Sequence, residues 1–206
     1  LMNLNNLTQC CIYLVILLLL VKPLGLYMAR VYEGAPMWID RVLGPLERLV
    51  YRLSGVNQEE MDWKTFAVAL MVFSAACIAV PFLLQETQQF LPLNPAGLGP
   101  VRWDLSLNTA VSFATNTNWQ FYVPETTVSY LTQMAGLAVQ NFLSAAKGMA
   151  VLVALILAFS RRSASTVGNF WVLLVRGVMI LLPVSLVIAL FLVSQGTVQT
   201  LGGPVT

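Results

Sequence analysis

The sequence predicts an all-α membrane protein of about four transmembrane helices, with one re-entrant pore helix and its loop between the second and third. Three observations carry that prediction. Apolar residues make up 58% of the 206 residues and charged residues 10%, with a mean hydropathy of +0.77, a balance foreign to soluble domains. Several apolar stretches approach the ~20 residues that cross a hydrocarbon core as helix. One polar interruption, DLSLNTAVSFATNTNWQF from Asp104 to Phe121, falls between two of those stretches.

The first stretch is continuous from Cys10 to Val21. Leu4 and Leu7 extend it on one side and Leu24, Leu26 and Met28 on the other, so a helix over roughly Leu4 to Leu24 is expected. No basic segment precedes it and basic residues follow it. It is therefore expected to stay in the mature protein with its N-terminus outside, rather than to be a cleaved signal peptide. Six of the eleven basic residues, Lys22, Arg30, Arg41, Arg48, Arg52 and Lys64, come next, which makes the connection cytoplasmic by the positive-inside rule.

Within that connection, Ile39, Val42, Leu43, Leu46, Leu49, Val50 and Leu53 recur at helical spacing, opposite Asp40, Arg41, Glu47, Arg48 and Arg52. An amphipathic helix on the membrane surface is expected, either as a support or as a docking face for a partner subunit. Gly55 and the acidic cluster Glu59, Glu60 and Asp62 end it. The second span is expected over Thr65 to Leu84, with Trp63 at its inner interface and Pro81 near its outer end. Gln85 to Trp103, with PLNPAGLGP, reads as an ordered outer connection.

Asp104 is the expected N-cap of the pore helix, accepting from the backbone N–H of Ser106 or Leu107. About eleven residues at 1.5 Å each reach only half of a bilayer core. The polar run Thr115 to Gln120 then lies at mid-depth, where irregular backbone survives only if protein encloses it or it lines a watery cavity. From Tyr122 the chain turns inward to Phe159. Ser129, Gln133, Gly136, Gln140, Ser144 and Lys147 recur there at steps of three or four, forming a stripe that packs against neighbours or lines a cavity. Arg161 and Arg162 mark a cytoplasmic exit. A fourth span covers Phe170 to Val193, with Arg176 inside and Pro183 at a kink, and the tail with Gly202, Gly203 and Pro204 lies outside.

These residues also exclude chemistry. The chain has no His, which removes imidazole metal sites and His-based catalysis. The spans hold no Asp, and no Gly-rich nucleotide loop is present. Cys10, Cys11 and Cys77 lie in or beside apolar runs and are expected to be packing residues. The small net charge of +2 has no single-sign block, so nucleic acid is not an expected partner. A helix ending at mid-membrane turns about half a negative charge toward whatever lies there, which suits a dehydrated cation. The loop after it offers backbone carbonyls as ion ligands if its N–H groups are pinned elsewhere, with Thr and Asn side chains holding the backbone in shape. A structural re-entrant loop or a plain outer loop would also fit this pattern, and the TVGYG string is missing.

The string LNTAVSFATNTNWQ from Leu107 to Gln120, followed by ETTVSYLTQMAGLAVQNFLSAAKGMAVLVALI from Glu125 to Ile156, resembles the first pore-loop repeat of the potassium-binding subunits of Kdp-type potassium-transporting P-type ATPases. KPLG at Lys22 to Gly25, EMDWK at Glu60 to Lys64 and LPLNP at Leu91 to Pro95 resemble that family as well. The resemblance covers essentially the whole chain.

It implies a fold related to potassium channels and to Trk and Ktr transporters: an extra first helix, then repeats of span, pore loop and span whose four loops bind potassium. On that likeness residues 1–63 are the extra helix and amphipathic loop, 64–160 the first repeat, and 161–206 the first helix of the next repeat. Thr115, Asn116, Thr117, Asn118, Trp119 and Gln120 are then the first of four filter strands. The implied function is the non-catalytic, ion-selective subunit of an ATP-driven potassium uptake pump in the bacterial inner membrane. Potassium is its cargo, and an ATP-hydrolysing subunit and small accessory subunits are its partners. A stand-alone potassium channel or Trk-like carrier is the alternative.

The sequence departs from the family in stopping before a second loop, as expected of the N-terminal part of a longer subunit. It also departs in placing Lys147 where the family pattern has a small or hydroxyl residue. A Lys at mid-membrane needs water or a partner. Its ammonium is expected either in a vestibule below the filter, opposing cations, or in a helix interface against a carbonyl.

Overall fold

The computed structural model describes residues 4–35, 40–161 and 165–197. Ile39, Arg162, Gly202, Gly203 and Pro204, and the side chains of Asp40 and Val42, lie outside the described residues. All regular elements among the described residues are helical: α1 (Leu4–Glu33), α2 (Asp40–Ser54), α3 (Trp63–Thr87), α4 (Trp103–Ala114), the single turn α5 (Pro124–Thr127), α6 (Val139–Ser160) and α7 (Phe170–Ser194). A 3₁₀ turn, Gln88–Phe90, extends α3, and a π-helical stretch, Thr132–Ala138, leads into α6. Four stretches are long and apolar enough to cross a membrane: Asn6–Glu33, Trp63–Phe90, Thr132–Ser160 and Phe170–Ser194. The chain divides into two compact units, Leu1–Val50 and Tyr51–Thr206.

In the first unit, α1 runs past the expected end near Leu24 to Glu33. Pro23 lacks one backbone donor and does not end the helix, because Leu24, Leu26, Tyr27 and Met28 continue an apolar helix-forming run on its far side. Thirty residues make a rod of about 45 Å, longer than the ~30 Å hydrocarbon core. The side chains from Ile12 to Val21 are all about half exposed or more. Helix α2 is amphipathic as expected, and Leu46 and Leu49 on its apolar side are exposed.

The second unit opens where α2 ends. Gly55 takes a left-handed φ of +62° and lets the Val56 N–H return to the Tyr51 carbonyl at 3.1 Å, the usual role of glycine just past a helix. Asp62 does not close the preceding helix. It caps α3, its Oδ1 accepting from the Thr65 N–H at 3.1 Å. Glu60 receives both contacts of the Arg161 guanidinium at 2.8 Å and the Thr166 hydroxyl. Those partners, the Thr166 hydroxyl first, hold its carboxyl below the usual carboxylate range. Asn169 Nδ2 donates to the Asn57 and Glu59 carbonyls at 2.7 Å, while its Oδ1 caps α7 through the Trp171 and Val172 N–H groups. One asparagine thus starts α7 and pins it to the segment before α3.

Above this clasp Phe66 and Phe73 of α3 meet Phe170 and Trp171 of α7 edge to face, with centroids 5.4 to 5.8 Å apart, a geometry that adds to simple burial. Helices α6 and α7 approach closely at Gly177, where an added Cβ would stand 3.0 Å from the Ala146 Cβ and 3.1 Å from its Cα. Small residues at that point set the distance between the two helices.

On the opposite side of the membrane-spanning helices two buried amides organise the connection. Gln85 Nε2 donates to the Pro81 and Ser106 carbonyls at 2.9 and 3.2 Å, tying α3 to α4. Gln88 Nε2 donates to the Gly99 and Thr127 carbonyls at 2.6 and 2.9 Å, and its Oε1 accepts from the Ser129 N–H at 2.9 Å. Asn94 closes the PLNPAGLGP segment on itself through the Leu98 carbonyl and N–H. The polar stripe faces inward: Ser129, Gly136, Gln140 and Ser144 are buried against neighbouring helices. Val101, Phe113, Val128 and Leu137 form an apolar cluster under α4, with Leu105 and Tyr122 packed on it.

Candidate cation-binding loop

Helix α4 begins at Trp103, two residues earlier than an Asp104 cap would require. Asp104 sits in the first turn, and its carboxylate pairs with the Arg102 guanidinium, Nε to Oδ1 at 2.7 Å, while the Ser106 N–H goes to the Arg102 carbonyl at 2.8 Å. The arginine beside it holds the Asp104 carboxyl down to about 2. An acidic side chain here still suits the positive end of the helix. The expected cap is replaced because the Arg102 side chain offers a charged donor to the same carboxylate, the stronger kind of hydrogen bond.

The twelve residues of α4 make a rod of about 18 Å. It ends on Ser112, Phe113 and Ala114, all buried. The loop that follows folds its backbone N–H groups back onto the helix. Thr115 N–H reaches the Val111 carbonyl at 2.9 Å, Asn116 N–H that of Phe113 at 3.1 Å, and Thr117 and Asn118 N–H both that of Ser112 at 3.0 and 3.3 Å. Asn116 and Asn118 take left-handed φ values of +60° and +55°, a region asparagine visits more readily than other side chains. Alternation of left-handed and ordinary residues is what lets four successive N–H groups turn to one side.

The side chains reinforce this. Thr115 Oγ1 donates toward the Val111 and Ser112 carbonyls at 2.9 and 3.2 Å and lies 2.9 Å from Thr117 Oγ1, which itself donates to Ser112 at 3.0 Å. Ser112 Oγ donates to the Trp119 carbonyl at 3.0 Å. Ser144 Oγ of α6 lies 2.6 Å from the Gln140 carbonyl and 3.3 Å from Asn116 Oδ1. Among the described residues no donor reaches the carbonyls of Thr115, Asn116, Thr117 or Asn118. Four oxygens in a row are left for something other than protein, and all four residues are exposed. The Trp119 carbonyl is already occupied, and Gln120 is exposed.

A cleft of about 440 Å³ runs along the exposed side of α4, lined among others by Asn108, Val111, Ser112, Thr115, Thr117 and Trp119. Lys147 stands on the other side. Its Nζ donates to the Ala114 carbonyl, the last of α4, at 2.8 Å and to Ser74 Oγ of α3 at 3.2 Å. The sequence drew attention to Thr115 to Gln120, to Ser144 in the polar stripe and to Lys147 but passed over Ser112 and Ser74. Ser112 had a readable signal, a hydroxyl residue one turn before Thr115 at the end of the short helix. Ser74 had none.

A family model described as the potassium-transporting ATPase A subunit matches residues 11–206. The chain belongs to that family. Three curated relatives bear the name potassium-transporting ATPase potassium-binding subunit. The protein of Methanoregula boonei is 62% identical over 206 residues, that of Sorangium cellulosum 56% over 204, and that of Ralstonia pickettii 55% over 202. These alignments cover 100%, 98% and 96% of this chain and 35%, 35% and 34% of the relatives. The chain thus spans about a third of their length. The resemblance carried by LNTAVSFATNTNWQ is borne out, and for a member of the A subunit family the short helix with its loop is the feature to explain.

Proposed function

We propose that this chain supplies one strand of a potassium-selective filter in the ion-binding subunit of an ATP-driven potassium uptake pump. The observation that carries the reading is the Thr115 to Asn118 backbone, with every N–H turned back onto α4 and every carbonyl left without a described donor. Oxygen dipoles so arranged replace the water shell of a monovalent cation, and pinning the N–H groups keeps them aimed when the ion leaves. The names of the relatives point to potassium, and to a pump more than to a stand-alone channel.

On this reading residues 1–63 are an extra helix and surface segment, 64–160 a span, pore-loop, span repeat, and 161–206 the start of a further repeat whose loop joins the first around a common axis. The exposed side of α4 and its cleft are where those other strands pack. ATP hydrolysis belongs to a partner subunit, the membrane is the plasma membrane, and the N-terminus lies outside.

The test uses the full-length subunit in its transport complex. Potassium should raise the melting temperature and stimulate ATP hydrolysis at concentrations where sodium does neither, since a ligand that binds only the folded state stabilises it. Equal responses to potassium and sodium, or none to either, would contradict the reading.

A further inference from the structure

A helix that ends inside a membrane presents the negative end of its dipole, and in a cation filter that end is commonly taken to act on the ion. In this chain the end is already engaged. The Val111, Ser112 and Phe113 carbonyls are taken by N–H groups of the loop. The remaining one, Ala114, receives the Lys147 ammonium at 2.8 Å. Ser74 supplies a second acceptor from α3 at 3.2 Å, so a half-buried positive charge is held at the inner end of α4 by two neighbouring helices. The residue after next, Asn116, begins the left-handed alternation of the loop.

We propose that Lys147 is a tethered cation seated at the carbonyl end of α4, which opposes potassium in the adjacent loop and so sets the affinity of the site. This rests on the reading of Thr115 to Asn118 as a filter strand. On that reading the other strands enclose the loop, and two like charges shielded from water repel more strongly and are less screened by salt. The ammonium therefore weakens binding of an ion that the bare helix end would favour. A site tuned in this way releases its ion more readily, as conduction requires.

A purely structural role makes the opposite forecast. If Lys147 only ties α4 to α3, removing it loosens the loop and weakens potassium binding. The experiment measures the rise of melting temperature with potassium, and the potassium dependence of ATP hydrolysis, in the full-length subunit within its complex. Lys147→Met removes the charge and keeps the stem. Lys147→Gln removes the charge and keeps a donor for Ala114, and so guards against a Met variant that fails to fold.

Both should bind potassium more tightly, by about threefold to tenfold, while Lys147→Arg stays near the wild type. Unchanged or weaker binding in the folded neutral variants would overturn the proposal and leave the filter reading standing. A wild-type complex that gives no potassium-dependent stabilisation would overturn the filter reading, and the proposal with it.

Discussion

Residues 91–102 and residues 115–120 are both irregular backbone next to apolar helices, and they dispose of their polar groups in opposite ways. In the first, protein completes the segment from several sides: the Gln85 backbone carbonyl takes up the Val101 N–H, the Gln88 side chain holds Gly99, and Asn94 within the segment closes the turn to Leu98. In the second, the backbone donors of Thr115 to Asn118 are satisfied by the helix that precedes them, and the acceptors of the same four residues receive nothing described. The first arrangement is that of a scaffold, where buried polar groups are completed by protein. The second keeps ordered oxygens available, and that asymmetry between donors and acceptors is what the proposed reading of Thr115 to Asn118 as a filter strand rests on.

The largest expected effect comes from breaking the scaffold. Gln88→Leu would strand the Gly99 and Thr127 carbonyls and the Ser129 N–H at once, about 1–3 kcal/mol for each group left buried and unpaired. The measurement is thermal unfolding of the full-length subunit without potassium. A melting temperature unchanged from wild type would show that Gln88 is not a hub. Close behind it, Gly177→Leu should force α7 away from Ala146 of α6, and overpacking of this kind typically destabilises by about 1–3 kcal/mol.

Breaking the loop should lower stability less than breaking the Gln88 hub and change ligand response more. Thr117→Val deletes the hydroxyl donated to Ser112, worth about 1 kcal/mol. Asn118→Ala keeps the length of the loop but places a residue without a polar side chain at φ +55°, which disfavours that backbone by about 1–2 kcal/mol. Both variants are expected to lose potassium-dependent stabilisation while unfolding closer to the wild-type temperature than Gln88→Leu in its absence. If they lose ground-state stability as Gln88→Leu does, the contrast between the two regions fails.

The smallest effect lies at the junction of the two regions. Asp104 has its carboxyl lowered to about 2 by Arg102, so the contribution of the pair is complete above the ordinary aspartate range, near 4, and is lost as pH falls toward 2. Carboxyl titration followed by NMR should place Asp104 at the low end of that window in the wild type and return it upward in Arg102→Ala. No difference between the two would show that the pair does not form. Both groups are largely exposed, so little stability is expected to follow.

Much of this arrangement is legible in the sequence because membrane insertion imposes composition directly. The apolar runs give the four long helices, and the polar break at Thr115 gives the position of the loop. The ends of elements were less legible. Pro23 and Lys22 suggested a boundary that α1 ignores, since a helix already formed on both sides tolerates one missing donor. Asp62 and Asp104 exchanged roles: the first caps a helix and the second does not, because Arg102 competes for Asp104. Gln85 and Gln88 were invisible as a hub, for their partners lie up to 44 positions away. Lys147 was recognised as needing a partner, but the carbonyl that holds it is 33 positions distant, and only tertiary packing brings it there.

The most direct test is a crystal structure of the full-length subunit with thallium in place of potassium, read by anomalous scattering. A peak within bonding distance of the Thr115 to Asn118 carbonyls is the expected result. Ordered thallium elsewhere in the subunit, with those four oxygens facing only water, would contradict it.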